Sequence, residues 1–108
     1  MQLLGLPLLE AQKARHATAR GALDAWRVEV EKANWRGPQD VKDRYATASF
    51  LADNRIVFNI KGNSFRLIVK VRYENSIVLV EWVGTHAEYD KLNSKNGLKS
   101  SLDKRIWK

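Results

Sequence analysis

Across residues 54–91 the chain reads NRIVFNIKGNSFRLIVKVRYENSIVLVEWVGTHAEYDK, in which three apolar segments are separated by Gly62-Asn63 and by Glu74-Asn75-Ser76. Gly and Asn tolerate the positive φ that tight hairpins require, so these are turns between antiparallel strands. A three-stranded meander follows, and its apolar side needs a cover. The run closes on Gly84-Thr85-His86-Ala87-Glu88-Tyr89-Asp90, where most of the unusual side chains are gathered. Any chemistry of the chain is to be sought there.

Period-two alternation splits the middle segment into two faces. Phe65, Leu67, Val69, Val71 and Tyr73 form one, and Arg66, Ile68, Lys70 and Arg72 the other. The first belongs against helices. The second presents three cations, with alternate residues roughly 7 Å apart along a strand, which suits the phosphates of an extended nucleic acid. Residues 77–83 are apolar except for Glu81 and Trp82, as expected of a strand near the sheet centre or covered on both faces. Thr85 and Glu88 have the spacing of a capping box, so a helix is expected from Thr85 with these two residues as its cap.

The N-terminal third supplies the cover. Gly5 and Pro7 punctuate a short strand or coil, Pro7 suits a first helical turn, and residues 8 to about 17 have weak amphipathic character. Leu23, Trp26, Val30 and Ala33 recur at spacings of three and four, while Arg27, Glu29, Glu31 and Lys32 take other faces. That pattern predicts a second helix, ended by Gly37-Pro38, with a bend near Gly21. Residues 39–54 read as a connecting loop, with one helical turn at 40–44 capped by Asp40. The expected fold is α+β: N-terminal helices packed on one face of a small twisted antiparallel sheet, then a short C-terminal helix and a basic tail. Residues 1–92 are expected to form a single domain, and residues 93–108, rich in Asn, Ser, Lys and Gly, a loosely ordered tail.

A chain of 108 residues suits one domain burying roughly two thirds of its unfolded surface. It has no cysteine, hence no disulfide framework and no thiolate zinc site. Its apolar start, MQLLGLPLL, is too short for a membrane span; a soluble, cytoplasmic protein is expected. The net charge of +7 is unevenly placed, with eight Lys or Arg against seven Asp or Glu in residues 1–54 and eleven against five in residues 55–108. A polyanion is therefore the leading partner class, against the alternative of a merely solubilising surface.

The sequence lacks a P-loop, a dinucleotide fingerprint, a nucleophile elbow and a cluster at metal-ligand spacing. No cofactor and no metal are expected. RNA permits phosphoryl transfer without either, because its own 2′-hydroxyl can attack the neighbouring phosphate once protons are moved. His86 is the only histidine in the basic half, and histidine is the residue type suited to proton transfer near neutral pH; it reads equally as a first-turn helix residue and as the proton-transfer group. Tyr89, on the same helical face, can orient a phosphate or stack on a base. Arg66, Lys70 and Arg72 can neutralise charge on a phosphorane. His16 reads as structural or surface.

The segment FNIKGNSFRLIVKVRY followed by VGTHAEYDKL, with LDAWRVEVEKANWRGPQDVKDRY and ATASFLADNRIVFNI upstream, closely resembles the HigB-type toxins of bacterial type II toxin-antitoxin systems, within the RelE-like superfamily. The likeness covers roughly residues 1–92 and is strongest over 41–90. It implies a metal-independent endoribonuclease, an mRNA interferase that commonly cuts messages during translation on the ribosome. It also implies a HigA-type helix-turn-helix antitoxin that neutralises the toxin and represses their shared operon, so that operator DNA is met only through the antitoxin. Arg66 of the GNxxR element, with His86 and Tyr89 of THxEYD, falls at the positions implied to be catalytic. Lys70, Arg72, Lys61 and Asn63 are the expected RNA- or phosphate-binding residues, while Asn59, Gly62 and Asn63 are expected chiefly to shape the hairpin. Two departures stand out: Gly5 and Pro7 occupy a region where relatives have a regular first strand leading into an aromatic-containing helix, and nothing after residue 92 resembles the family. The competing readings are a non-catalytic RNA- or ribosome-binding module using the same basic face, and a subunit whose basic face meets an acidic partner.

Overall fold

The computed structural model describes residues 1–96, with side chains through Leu92. Strand β1 (Gln2–Leu4) leads into helix α1 (Leu6–Arg15), and a 3-10 turn (Ala17–Ala19) joins it to α2 (Arg20–Lys32). Then come α3 (Pro38–Arg44), β2 (Ser49–Leu51), β3 (Arg55–Ile60), β4 (Phe65–Arg72), a 3-10 turn (Tyr73–Asn75), β5 (Ile77–Thr85) and α4 (His86–Asn96). The strands form one sheet in the order β1-β5-β4-β3-β2, antiparallel except where β1 runs parallel to β5. This is the expected α+β architecture, helices on one face of the sheet and a short helix at its end.

The core lies between that face and the helices. Leu67, Val69 and Val71 of β4, with Val78, Val80 and Val83 of β5, are buried against Leu9, Leu23, Trp26 and Val30. Phe58 centres an aromatic cluster, with ring centroids 5.0 Å from Tyr45, 5.5 Å from Trp26 and 6.2 Å from Trp35. Gly5 makes the turn from β1 into α1 possible. Its φ is +81°, and a Cβ there would stand 2.5 Å from the Val80 carbonyl oxygen, so any other residue would push α1 off β5.

Several boundaries differ from expectation. The second helix ends at Lys32, where Ala33 turns to an extended conformation. Gly37-Pro38 opens α3 instead, because a proline at the first helical position has no N–H to waste. Asp40 lies inside that helix and accepts a hydrogen bond from the Arg36 N–H at 2.8 Å, while Gly37 holds the cap position. Residues 49–51, read as loop, pair with β3 as a three-residue edge strand, too short to show a period. The bend expected near Gly21 is made by the preceding 3-10 turn, with Gly21 inside α2. Helix α4 continues past Leu92 to Asn96; the remainder of the expected tail lies outside the described residues.

One irregularity shapes the outer face. Ile68 pairs with Trp82 and Val69 with Val80, so Glu81 is an extra residue in β5. A bulge of this kind aims consecutive side chains to one side. Glu81 reaches the β3 residue Arg55, and Trp82 packs on Ile68 and Val57, both on the face away from the helices.

Candidate functional site

Helix α4 starts where β5 ends, beside the β3–β4 hairpin, because Thr85 is in register with Phe65 and Gly84 with Arg66. Three sets of contacts hold the junction. The Thr85 N–H donates to Glu88 Oε1 at 2.8 Å and the Glu88 N–H donates to Thr85 Oγ1 at 3.1 Å, the reciprocal capping box expected from the spacing. The His86 N–H donates to the Ser64 carbonyl at 2.9 Å. Arg15, at the end of α1, donates to Glu88 Oε2 at 3.0 Å. The Thr85 N–H, and after it the Arg15 charge, holds the Glu88 carboxyl below the usual range. Gly84 is required here for space, since a Cβ would lie 2.6 Å from the Trp82 ring.

This junction gathers the side chains predicted to be catalytic. His86 is 42% exposed, with Nε2 3.2 Å from Asp90 Oδ2 one helical turn later. The Tyr89 ring packs against Trp82 at 6.2 Å between centroids, and the Arg66 guanidinium stands 5.6 Å from its centroid. Burial pushes the Tyr89 hydroxyl pKa up, opposed by the Arg66 charge. Arg66 is fixed by donating to Asn63 Oδ1 at 2.8 Å and to the Asn63 carbonyl at 3.2 Å. Asn63 therefore positions the guanidinium. Lys61 and Gly62 make the hairpin turn with φ of +54° and +65°, and Lys61 is exposed beside it. Asn59 donates to the Thr47 carbonyl at 3.4 Å, so it ties β3 to the segment before β2 more than it shapes the hairpin.

The row of cations does not stay continuous. Ile68, between Arg66 and Lys70, is completely buried with Val57 beneath Trp82, Tyr89, Leu92 and Leu51. Lys70 and Arg72 lie beyond it, at the β1 end of the face. His16 is structural: its ring meets Phe65 edge-on at 5.3 Å and stands 3.9 Å from Glu88.

Sequence reasoning missed an ion pair. Arg55 and Glu81 are buried on the outer face with Nε 3.5 Å from Oε1. Burial pushes the Glu81 carboxyl up to about 7, with Arg55 and Lys70 pulling the other way. The available signal was a glutamate in an otherwise apolar strand, but only the bulge and the sheet register give it a partner.

An imidazole, an aromatic ring and a fixed guanidinium within one junction suit work on a phosphodiester. Among the described residues, no three His, Cys, Asp or Glu side chains gather as a metal site, and no helix is long and apolar enough to cross a membrane.

An α+β sheet with helices on one face and this junction on the other defines the class of small RelE-like proteins. The chain belongs to the HigB toxin family, described as the RelE-like toxic component of a toxin-antitoxin system; the family's model matches residues 19–92. The match starts after β1 and α1, which form a strand leading into a helix despite Gly5 and Pro7. No curated protein matches the chain.

Proposed function

We propose that the protein is an mRNA interferase: a metal-independent endoribonuclease that cuts messenger RNA on the translating ribosome and is neutralised by a helix-turn-helix antitoxin. The observation that carries this reading is the junction at the start of α4, where Arg66, oriented by Asn63, faces Tyr89 beside His86. Family membership supports it. In the reaction, the RNA 2′-hydroxyl loses its proton and its oxygen attacks the adjacent phosphorus. The bond from phosphorus to the 5′-oxygen breaks, and that oxygen takes a proton, leaving a 2′,3′-cyclic phosphate and a 5′-hydroxyl. His86, oriented by Asp90, exchanges the proton at one of these oxygens. Arg66 neutralises the charge that builds on the phosphorane. Tyr89 stacks on a neighbouring base or orients the phosphate. Residues 1–92 act as one domain.

The test is induction of the protein alone, with mapping of transcript 5′ ends. New ends within translated frames are expected, lost with His86→Ala or Arg66→Ala and suppressed by co-expression of the helix-turn-helix protein. Salt-sensitive RNA binding without new ends would instead establish the non-catalytic RNA-binding module. In purified form, cutting is expected with translating ribosomes and not with naked message.

A further inference from the structure

The outer face has a concavity at the end away from α4. Leu4, Ile77, Leu79, Lys70, Arg72 and Asn75 line a cavity of about 360 Å³. The register builds it: Leu4 stands opposite Leu79, Leu79 opposite Lys70, and Ile77 opposite Arg72. Three aliphatic residues from two parallel strands and two cations line it, with Asn75 at the corner where the 3-10 turn leads into β5. Leu4 is 40% exposed, so the cavity is open to an incoming group. The volume is near the lower end of the roughly 300–1,000 Å³ of small-molecule sites, enough for one ring system and its attached sugar. The chemistry asks for a flat apolar face, a hydrogen-bonding edge and a negative charge on one side. A nucleotide has all three.

We propose that this cavity receives one unpaired RNA nucleotide a few positions away from the cleaved bond. Its base lies on Leu4, Ile77 and Leu79, its edge meets the Asn75 amide, and its phosphate faces Lys70 and Arg72. The inference rests on the RNA reading above and adds a specificity subsite to it. Counting residues along β4, Lys70 and Arg72 lie roughly 13–20 Å from Arg66, so the subsite is remote from His86. It selects which stretch of message is presented and takes no part in proton transfer.

The experiment uses the full chain with Leu4→Arg, which fills the cavity, and Asn75→Ala, which alters only an exposed turn. In 5′-end maps, both are expected to weaken base preference at one fixed offset from the cut, on the order of 10-fold, and to redistribute the cuts. Unchanged preferences at every offset in both variants would overturn the subsite while leaving the cleavage reading intact. A measurement independent of cutting is titration of methyl-labelled protein with 2′-O-methyl tetranucleotides, whose blocked hydroxyl prevents attack. Shifts of the Leu4, Ile77 and Leu79 methyls, lost in Leu4→Arg, are expected. If these shifts occur while the wild-type protein makes no cuts in cells, the cleavage reading fails and the nucleotide site stands. Shifts only around Tyr89, or methyl shifts produced by the antitoxin and by no RNA, would overturn the site.

Discussion

At the α4 end of the outer face, polar side chains hold one another: Arg66 is fixed by Asn63, Glu88 by Thr85 and Arg15, and His86 by Asp90. At the β1 end, the register of β1, β4 and β5 sets which residues stand together, with Leu4 beside Leu79, Leu79 beside Lys70 and Ile77 beside Arg72. Under the proposed function the two ends have different tasks. Proton transfer and charge stabilisation need groups held within a fraction of an ångström, which takes supporting side chains, whereas gripping a flat group needs only walls. Between the ends lies Arg55–Glu81, the buried pair that joins β3 to β5 across β4.

The sharpest way to break this contrast is to remove the supported groups themselves. His86→Ala is expected to lower cleavage on translating ribosomes by about 10²- to 10⁴-fold, and Arg66→Ala by about 10²- to 10³-fold, measured by primer extension. Asn63→Ala should follow Arg66 in direction with a smaller loss. If it leaves the rate unchanged, the Asn63 clamp has no role in catalysis.

The middle of the face comes next. Arg55→Ala removes one of the two cations that act on the buried Glu81 carboxyl and is expected to cost about 3–5 kcal/mol in chemical denaturation. The double substitution Arg55→Met/Glu81→Leu should recover most of that, because well-packed apolar residues often replace a buried pair without loss. A double variant as unstable as the single would show that the pair itself holds β3 and β5 in register.

The same pair has a pH signature. The folded pKa of Glu81, about 7, lies above its ordinary 4.5. Between these values the native state holds a proton that the unfolded chain has released, so stability falls as pH rises through that window and levels off above it. The fall is on the order of 3 kcal/mol, and Glu81→Gln should flatten it; an equal slope in the variant would assign the dependence to other groups.

Smaller still is the cap. Thr85→Ala should cost about 1 kcal/mol and lower cleavage a few-fold although Thr85 has no assigned contact with RNA, because α4 carries His86 and Tyr89. At the bottom of the scale, Arg44→Ala removes an exposed ion pair with Glu29 and should change stability by less than about 1 kcal/mol.

Much of this was legible before any coordinates. Alternation over residues 65–72 assigned Phe65, Leu67, Val69 and Val71 to the core, and the turn residues at 62–63 and 74–76 delimited the three strands, because periodicity and turn chemistry are local properties. The capping box was readable for the same reason: both partners sit within one helical turn. Helix α3 and β2 were harder, since a proline opens a helix as readily as it follows one, and three residues carry no period.

What the chain determined by itself was the three central strands with their turns, the second helix and the cap of the last, the face that is buried and the family it belongs to. The tertiary structure decided which of the outer-face residues meet. A single extra residue at Glu81 shifts the β4–β5 register, turns Glu81 toward Arg55 and lays Trp82 over Ile68, and these choices depend on pairings between distant segments. By burying Ile68, that packing parts Arg66 from Lys70 and Arg72, leaving a supported junction at one end and an aliphatic cavity at the other.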